Sequence, residues 1–256
     1  MYTIASWNVN SLNVRLEHVL KWLNEHQPDI LAIQETKCVD DKFPMTVLRD
    51  QGYHAIYSGQ KTYNGVAIFS KRPAEAICTD VPGLADPQRR ILAATIDNIR
   101  IINLYVPNGQ RVDSEKFQYK LDWLKCVMAY IQSQLSHYPQ LVVLGDMNIA
   151  PEDRDVHDPI AWQDKVHVSP QERTAFNQLL ELGLSDSFRL FEQDKGHFTW
   201  WDYRMMAFRR KHGLRIDHIL ITQALVSLCK QCVIDIEPRR WERPSDHTVV
   251  YIQLDK

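Results

Sequence analysis

The sequence predicts an α/β fold in which sheets pack face to face and helices cover the outside. Short apolar segments with strand character recur along the chain, interleaved with longer segments in which apolar residues repeat at helical spacing. With 45% apolar residues, a chain of 256 residues can bury a substantial core. No repeat, low-complexity run or linker-like stretch divides it, so we expect a single domain over residues 1–256.

The N-terminal part of the chain is predicted to alternate between strand and helix. Its elements are a strand at residues 3–7, a helix at 14–25, a strand at 30–34 and a short helix at 45–51. Asn13 is the expected N-cap of the first helix, and Pro28 lies just beyond its end.

Strand-like segments then follow closely, at residues 54–57, 65–70, 76–79, 91–96 and 100–105. Between the last two, Asp97 and Asn98 form a hairpin-turn signal, because both residue types tolerate the left-handed backbone of such turns. In the second half we expect helices at 114–135 and 170–182, and strands at 141–144, 198–200, 216–221, 233–237 and 248–254.

Polar side chains stand where the apolar strands end. The strand at 141–144 runs into Asp146 and Asn148, which are two residues apart and can point the same way. Similar strand-end residues elsewhere are Asn8, Asn10, Glu35, Tyr105 and the run Ser245-Asp246-His247. Each has a structural alternative: Asn and Asp form turns, Glu35 can be a surface carboxylate beside Lys37, and His247 can be a core histidine. Their recurrence instead indicates one polar cluster, placed where α/β enzymes carry out their chemistry.

The bulk composition limits the function classes. A formal net charge of −2 excludes a grossly basic nucleic-acid binder, so nucleic-acid contacts must come from a local patch. We expect no membrane span and no signal peptide. Five cysteines, an odd number, then indicate reduced thiols in a cytoplasmic protein. Cys229 and Cys232 lack further ligands at zinc spacing, and we expect them on a helix-to-strand connection.

Six motifs occur in the order and at the distances seen in exonuclease III-type apurinic/apyrimidinic endonucleases, which the chain resembles from residue 3 to about residue 252. They are Trp7-Asn8-Val9-Asn10, Gln34-Glu35-Thr36-Lys37, Asn64-Gly65-Val66-Ala67, Gly145-Asp146-Met147-Asn148, Gly213-Leu214-Arg215-Ile216-Asp217 and Ser245-Asp246-His247. Gly-Asp-x-Asn and Ser-Asp-His recur across the wider endonuclease/exonuclease/phosphatase superfamily, so it is the ordered set that is specific. The resemblance implies a four-layered α/β sandwich and a monomeric, cytoplasmic, nucleoid-associated enzyme. Its implied substrate is double-stranded DNA with abasic sites or 3′ ends.

Phosphodiester hydrolysis needs a positioned water, neutralisation of charge on the phosphate and help for the leaving oxygen. A hard cation such as Mg²⁺ prefers oxygen ligands and keeps several waters, so a few carboxylates suffice to bind it. We expect Glu35 as the first ligand, with Asp246 and the Asn8 amide beside it, and Mn²⁺ as a substitute ion.

Asp146 is expected to orient and deprotonate the attacking water, with Asn148 holding that water or a phosphate oxygen. By resemblance, His247 contacts a non-bridging phosphate oxygen, and Asp217 behind it fixes the ring and favours its charged form. Tyr105 either hydrogen-bonds the phosphate or, as phenolate, assists the leaving group. A second ion near Asp146, Asn148 and His247 is the alternative to a single ion.

A local basic segment fits a DNA partner, although an ordinary solvated loop is the alternative. Its cations are Arg204, Arg209, Arg210, Lys211 and Arg215. By resemblance, Trp200, Leu214 and Ile216 line a small apolar pocket for a base-free deoxyribose or the sugar at a 3′ end. The residues expected to meet backbone phosphates, in salt-dependent contacts, are Lys61, Tyr63, Asn64, Asn108 and Arg111.

One segment departs from the family pattern. Ahead of Pro170 the family usually carries a small residue followed by Phe, whereas this chain reads Lys165-Val166-His167-Val168-Ser169. By resemblance this loop borders the DNA cleft near the scissile phosphate. An imidazole there would obstruct continuous duplex and leave a 3′ terminus free to enter; alternatively, His167 points to solvent.

Two other function classes share part of this pattern. A superfamily phosphatase acting on inositol phosphates or phospholipids would use the same strand-end residues. It would not need the basic segment or the tryptophan-rich segment before it, at residues 198–203. A non-catalytic DNA-binding scaffold would show erosion of the catalytic set, which is complete here. A secreted nuclease is disfavoured by the missing signal peptide and the odd cysteine count. We therefore predict a divalent-metal-dependent DNA repair phosphodiesterase with 3′→5′ exonuclease, 3′-phosphatase and abasic endonuclease activities in unknown balance.

Overall fold

The computed structural model describes residues 1–191 and 194–256, and in these ranges twelve strands form two six-stranded sheets. The strands are β1 (Tyr2–Asn8), β2 (Ile30–Gln34), β3 (His54–Ser58), β4 (Val66–Ser70), β5 (Glu75–Cys78), β6 (Ile91–Ile96), β7 (Ile99–Tyr105), β8 (Leu141–Asp146), β9 (Leu184–Asp186), β10 (Asp217–Thr222), β11 (Cys229–Asp235) and β12 (Val249–Leu254). The first sheet has the order β11-β12-β1-β2-β4-β3, and the second has the order β5-β6-β7-β8-β10-β9.

Three long helices and several single-turn helices connect the strands. They are α1 (Leu12–His26), α2 (Met45–Asp50), α3 (Glu115–Leu135), α4 (Pro159–Trp162), α5 (Pro170–Glu181), α6 (Ala207–Arg210) and α7 (Gln223–Val226). No helix in the described ranges combines the length and the apolar character needed to cross a membrane.

Because side chains alternate along the strands, the apolar residues pack in three layers. One layer lies between the two sheets, and one lies on the outer face of each sheet. Ile4 of β1 and Val142 of β8 belong to the core between the two sheets. Trp22 of α1 packs on the outer face of the first sheet, and Trp123 of α3 and Phe176 of α5 pack on the outer face of the second. The predicted four-layered α/β sandwich is confirmed.

Each sheet has a parallel pair of strands at its centre, and the carboxyl ends of these strands carry polar residues. β1 runs parallel to β2, with Asn8 opposite Gln34, and β7 runs parallel to β8, with Tyr105 opposite Asp146. β10 is antiparallel to β8, so its first residue, Asp217, also pairs with Asp146. The register therefore brings polar groups from distant parts of the sequence to one edge of the sandwich.

Two local predictions are wrong: the N-cap of the first helix, and the placement of Cys229 and Cys232 on a connection. The helix begins at Leu12, so Asn13 lies inside it, and Ser11 precedes it without a side-chain capping bond. Backbone bonds from Ser11 and Leu12 to the loop after β2 set this start instead of a cap. Cys229 and Cys232 both lie in β11, which begins four residues before the expected position 233, and not on a connection.

The predicted strand at 198–200 is also wrong. Trp200 makes only isolated bridges to Leu214 and His247 among the described residues, so this segment crosses between two loops and joins neither sheet. By contrast, the predicted hairpin is confirmed: Asp97 and Asn98 have φ values of 49° and 65°, which a two-residue turn of this kind requires.

Candidate active site

The polar strand ends converge around the Asn8 side chain, which is fully buried. Its Nδ2 donates to Oε1 of Glu35 over 3.0 Å and to Oδ2 of Asp146 over 2.9 Å, so it bridges the two sheets. Its Oδ1 accepts the backbone N–H of Asn10 over 3.0 Å. In this arrangement the amide nitrogen holds the two carboxylates together, and the amide oxygen faces away from them.

Glu35 is part of this cluster and not an isolated surface group. Oε1 accepts from Asn8, and Oε2 lies 3.0 Å from Nζ of Lys37. Lys37 therefore neutralises one side of the carboxylate while the other side faces Asp146 through the shared amide. The sequence offered Lys37 only as a reason to regard Glu35 as an ordinary surface charge.

His247 lies between two carboxylates. Its Nδ1 donates to Oδ2 of Asp217 over 2.8 Å, and its Nε2 lies 3.7 Å from Oδ2 of Asp146. Burial alone would lower the pKa of His247, but Asp217 and Asp146 together raise it to about 10. Burial raises the pKa of Asp146 to about 7, against the opposing effect of charged His247. The imidazole is thus held in its charged form, and Asp146 is suited to accept a proton near neutral pH.

Asp217 is fixed from its backbone side by Thr199, a residue that the strand-end pattern did not reveal. Oγ1 of Thr199 accepts the backbone N–H groups of Ile216 and Asp217, each over 3.0 Å. Within the described ranges, Oδ1 of Asp217 is a buried oxygen without a hydrogen-bond partner. One oxygen of this carboxylate therefore holds the imidazole, and the other is left free beside it.

The donor set fits a hard divalent cation. One carboxylate oxygen of Glu35 and one of Asp146 lie within 4.8 Å of each other, and both can bind a cation. His247 lies equally close, but its charged ring has no free lone pair. Asp246, the expected second ligand, lies beside this group, with Oδ1 accepting from Nδ2 of Asn10 over 2.9 Å. Carboxylates outnumber cationic groups here, and carboxylate oxygens are the ligands that Mg²⁺ and Mn²⁺ prefer.

Asn148 is held at the same edge by the two loops beside it. Its backbone N–H donates to Oδ1 of Asp146 over 2.9 Å, and its Nδ2 donates to the carbonyl of Val106 over 3.0 Å. Its Oδ1 accepts from Nδ2 of Asn108 over 3.2 Å. Asp146 and Asn148 are therefore linked directly, through the backbone N–H of Asn148.

His167 does not point to solvent, so that alternative is wrong. The residue is 5% exposed, and its Nδ1 lies 2.7 Å from the carbonyl oxygen of Asn148. Because a carbonyl only accepts, Nδ1 carries the proton. The ring centroid is 6.3 Å from the rings of both Trp162 and Trp200, so the imidazole is a packed part of the cleft wall.

Tyr105 is protonated in this environment. Burial raises the pKa of the phenol well above its ordinary value, and the charges of Glu35 and Asp146 add to the effect. The guanidinium of Arg90 lies over the ring, 4.7 Å from its centroid. The sequence analysis did not identify Arg90. Arg90 immediately precedes β6, and the start of an antiparallel strand lies at the same edge as the end of its neighbour, so residues before such strands should also be searched.

The predicted apolar residues come together as one packed cluster. Leu214 is fully buried, Ile216 is 2% exposed, and Trp200 packs against both. Trp162, which the sequence did not single out, packs on the same cluster. Nε1 of Trp200 also donates to Oδ2 of Asp246 over 3.0 Å, which links the apolar cluster to the polar one.

The predicted DNA contacts differ in accessibility. Those exposed to solvent are Lys61, Tyr63, Asn108, Arg111 and Arg204. Asn64 is buried, with its amide donating to the side chains of Gln60 and Gln88, so it shapes the loop that carries Lys61 and Tyr63.

Arg215 was counted wrongly among the cations of an exposed basic segment. It is 1% exposed, and its guanidinium bonds Asp155 over 2.6 Å and Asp186 over 2.8 Å. Arg204, in turn, pairs with Asp202 over 2.8 Å. Composition alone could not distinguish these paired cations from the exposed Arg209, Arg210 and Lys211.

Comparison with known proteins agrees with this geometry. A family model described as the Endonuclease/Exonuclease/phosphatase family matches residues 5–247. The chain is 33% identical to exodeoxyribonuclease III of Haemophilus influenzae, over 97% of this chain and 98% of that protein.

Two solved structures share both fold and sequence. One is the 3′ phosphatase NExo (D146N) from Neisseria bound to product DNA hairpin, with 46% identity, a TM-score of 0.99 and complete coverage of both chains. The other is an AP endonuclease from Archaeoglobus fulgidus, with 41% identity, a TM-score of 0.97 and complete coverage of both chains. The chain therefore belongs to the endonuclease/exonuclease/phosphatase family, and its predicted resemblance to the exonuclease III-type enzymes of that family is confirmed.

Proposed function

We propose that this protein is a divalent-metal-dependent DNA repair phosphodiesterase that hydrolyses phosphate esters at 3′ ends of DNA and, less efficiently, at abasic sites. The observation that carries the proposal is the group of Asp146 and Asp217, both buried, and partly exposed Glu35 around His247. This group combines a cation site, a carboxylate with a pKa near neutrality and a charged hydrogen-bond donor. The exodeoxyribonuclease III and AP endonuclease relatives support it.

The residues divide the chemistry between them. Asp146 orients a water molecule and accepts its proton, and Asn148 supports the same water or a phosphate oxygen. Charged His247 donates from Nε2 to a non-bridging phosphate oxygen while Asp217 holds Nδ1. Protonated Tyr105 acts as a hydrogen-bond donor to the phosphate, which its raised pKa favours over a phenolate role.

Glu35 and Asp246 are the proposed metal-holding residues, and the Asn8 amide holds Glu35 beside Asp146. When bound, Mg²⁺ neutralises charge on the phosphate. We favour one ion over two because the second site would need His247 as a ligand, and its charged ring has no free lone pair. Mn²⁺, with the same oxygen preference, is expected to substitute.

The proposed preference for 3′ ends rests on His167. Its ring occupies the wall between Trp162 and Trp200, next to the apolar cluster proposed to receive a sugar. An internal abasic site requires duplex on both sides of the scissile phosphate, whereas a 3′ terminus can splay around an obstruction. Exposed Lys61, Arg111 and the cations at 209–211 are the proposed phosphate contacts of a monomer acting on chromosomal DNA in the cytoplasm.

Three labelled duplexes test the function and its preference: a nick with a 3′-phosphate, a recessed 3′-hydroxyl and an internal abasic analogue. With Mg²⁺, wild-type protein should act on the first two faster than on the third. His167→Gly should raise abasic incision roughly tenfold relative to 3′-phosphate removal, at one fixed salt concentration because phosphate contacts are salt-sensitive. An unchanged ratio would mean that His167 is not an obstruction, and inactivity on all three duplexes would refute the function itself.

A further inference from the structure

A buried ion pair lies directly behind the proposed active site. Lys120 of α3 and Glu172 of α5 are in contact, and neither side chain is exposed to solvent. The three protons of the Lys120 ammonium have three acceptors: Glu172, the carbonyl oxygen of Asn148 at 2.7 Å and that of Asn108 at 3.3 Å. Lys120 thus ties the loop after β7 to the loop after β8.

Glu172 extends this tie to a third loop. Its Oε1 accepts the backbone N–H of His167 over 3.0 Å, in addition to Lys120. Its Oε2 accepts the backbone N–H of Ser169 over 3.2 Å and the Ser169 hydroxyl over 2.6 Å. The two buried charges are therefore saturated with partners, and those partners belong to the loops that carry Asn108, Asn148 and His167.

The backbone at Asn148 is held from its carbonyl side. Asn148 has a φ of 52°, a left-handed conformation that Asn adopts more readily than most residues other than glycine. Its carbonyl accepts from both Lys120 and Nδ1 of His167, each over 2.7 Å. Without the ammonium, this carbonyl would be held by His167 alone, so the orientation of the peptide after Asn148 would be less firmly fixed.

We propose that Lys120 and Glu172 are positioning residues, which set the orientation of Asn148 and His167 in the active site without touching substrate. This inference rests on the proposed function. Neither residue lies at a strand end, and both belong to helices on the outer face of the second sheet. The pattern of polar residues at strand ends therefore could not identify them.

The test separates positioning from stability by removing both charges together. A single change leaves an uncompensated buried charge, which destabilises the fold by itself. We therefore compare wild type with K120M/E172Q, and include Arg100→Met as a matched control. Arg100 is another buried cation that contacts α3, through Tyr130 and Gln134, but it lies at the opposite end of β7 from Tyr105.

Melting temperature, kcat and KM are measured on the 3′-phosphate duplex at 15–20 °C. We expect K120M/E172Q to melt close to wild type but to have kcat lowered roughly 10- to 100-fold, with a smaller change in KM. Arg100→Met should melt lower and keep wild-type kcat per folded molecule. Wild-type kcat in the double variant, or an equal loss of kcat in Arg100→Met, would overturn the proposal.

If the double variant does not fold, Glu172→Asp is measured instead, because it keeps the buried charge and only shortens its reach to His167 and Ser169. It should lower kcat severalfold at a temperature where it is fully folded. Wild-type kcat in that variant would overturn the proposal in the same way. Because every comparison is made against an active wild type, failure of the positioning role is distinguishable from failure of the proposed function. Only the latter would leave wild-type protein inactive.

Discussion

Two buried polar clusters lie on opposite faces of β10 and differ in charge balance. Asp217 faces the site cluster (Asn8, Glu35, Asp146, Asp217 and His247). The next residue, His218, faces an arginine network (Asp155, Asp186, Arg189, Arg215 and His218). In the arginine network two carboxylates meet two guanidinium groups. In the site cluster three carboxylates meet two cations, the charged imidazole of His247 and the ammonium of Lys37, which pairs with Glu35.

The pKa values of the two histidines differ in the direction that this charge balance predicts. Burial lowers the pKa of His218 to about 4, and the neighbouring Arg215 adds to the effect. His247, equally buried, has its pKa raised to about 10 by its carboxylate neighbours. In a balanced network the buried charges neutralise one another, so the network can stabilise the fold without a bound ion. An excess of buried negative charge requires a cation, and we infer from this that the site cluster is the functional one.

The largest expected effect is on catalysis, from Asp146→Asn. The amide keeps the shape of the side chain but cannot accept a proton from water, so kcat should fall by about 10²- to 10⁴-fold. The melting temperature should not fall, because burial already disfavours the charged form of Asp146. Steady-state hydrolysis of the 3′-phosphate duplex and a thermal melt check this, and near-wild-type kcat would remove Asp146 from its proposed role.

The converse change, Asp155→Asn, should affect stability and not catalysis. It breaks the network around Arg215 and Arg189 and leaves buried Arg215 with Asp186 as its one carboxylate partner in this network, which costs about 3 kcal/mol. Urea unfolding measures the loss, and kcat per folded molecule is expected to stay at the wild-type value. A variant as stable as wild type, or one that loses kcat while folded, would erase the distinction between the two clusters.

A smaller effect is expected in the pH dependence of stability. His218 is satisfied as a neutral ring, since Nε2 donates to the carbonyl of Ile149 over 2.9 Å and Nδ1 accepts from Arg215 over 3.0 Å. The unfolded chain binds a proton at this residue below about pH 6.5, and the folded protein does so only below about pH 4. Stability from this residue is therefore lost as pH falls through that window.

His218→Gln isolates this contribution, because an amide can make the same two hydrogen bonds without titrating. Between about pH 7.5 and about pH 5, wild type should lose about 2 kcal/mol more unfolding free energy than the variant. Parallel pH profiles from urea unfolding would show that His218 is not held neutral.

The sequence predicted the site cluster better than the arginine network, for a physical reason. Residues such as Asp146 and Glu35 follow apolar strands, and strand ends meet at an edge whatever the details of the loops. Arg215 looked like one more cation of a basic segment, because only the folded chain brings Asp155 and Asp186 to it. Trp200 was assigned to a strand at 198–200, whereas its backbone makes single bridges to two loops.

The orientation of buried side chains could not be predicted from the sequence either. The sequence identified His167 as unusual, but its burial and its bond to the Asn148 carbonyl depend on loops joined by Lys120 and Glu172. These two residues lie 52 positions apart on helices and carry no strand-end signature. Strand ends are thus predictable from local pattern, while contacts made between loops are set by tertiary packing.

The claim that the unbalanced site cluster holds a divalent cation is tested most directly by the Mg²⁺ dependence of 3′-phosphate removal in Glu35→Ala. Removing a charged ligand from a sparse oxygen site should raise the Mg²⁺ concentration for half-maximal rate at least roughly tenfold and lower the maximal rate. Asp155→Asn, measured in parallel, should titrate like wild type because its carboxylate belongs to the balanced network. An unchanged Mg²⁺ titration in Glu35→Ala, or the same shift in both variants, would contradict the assignment.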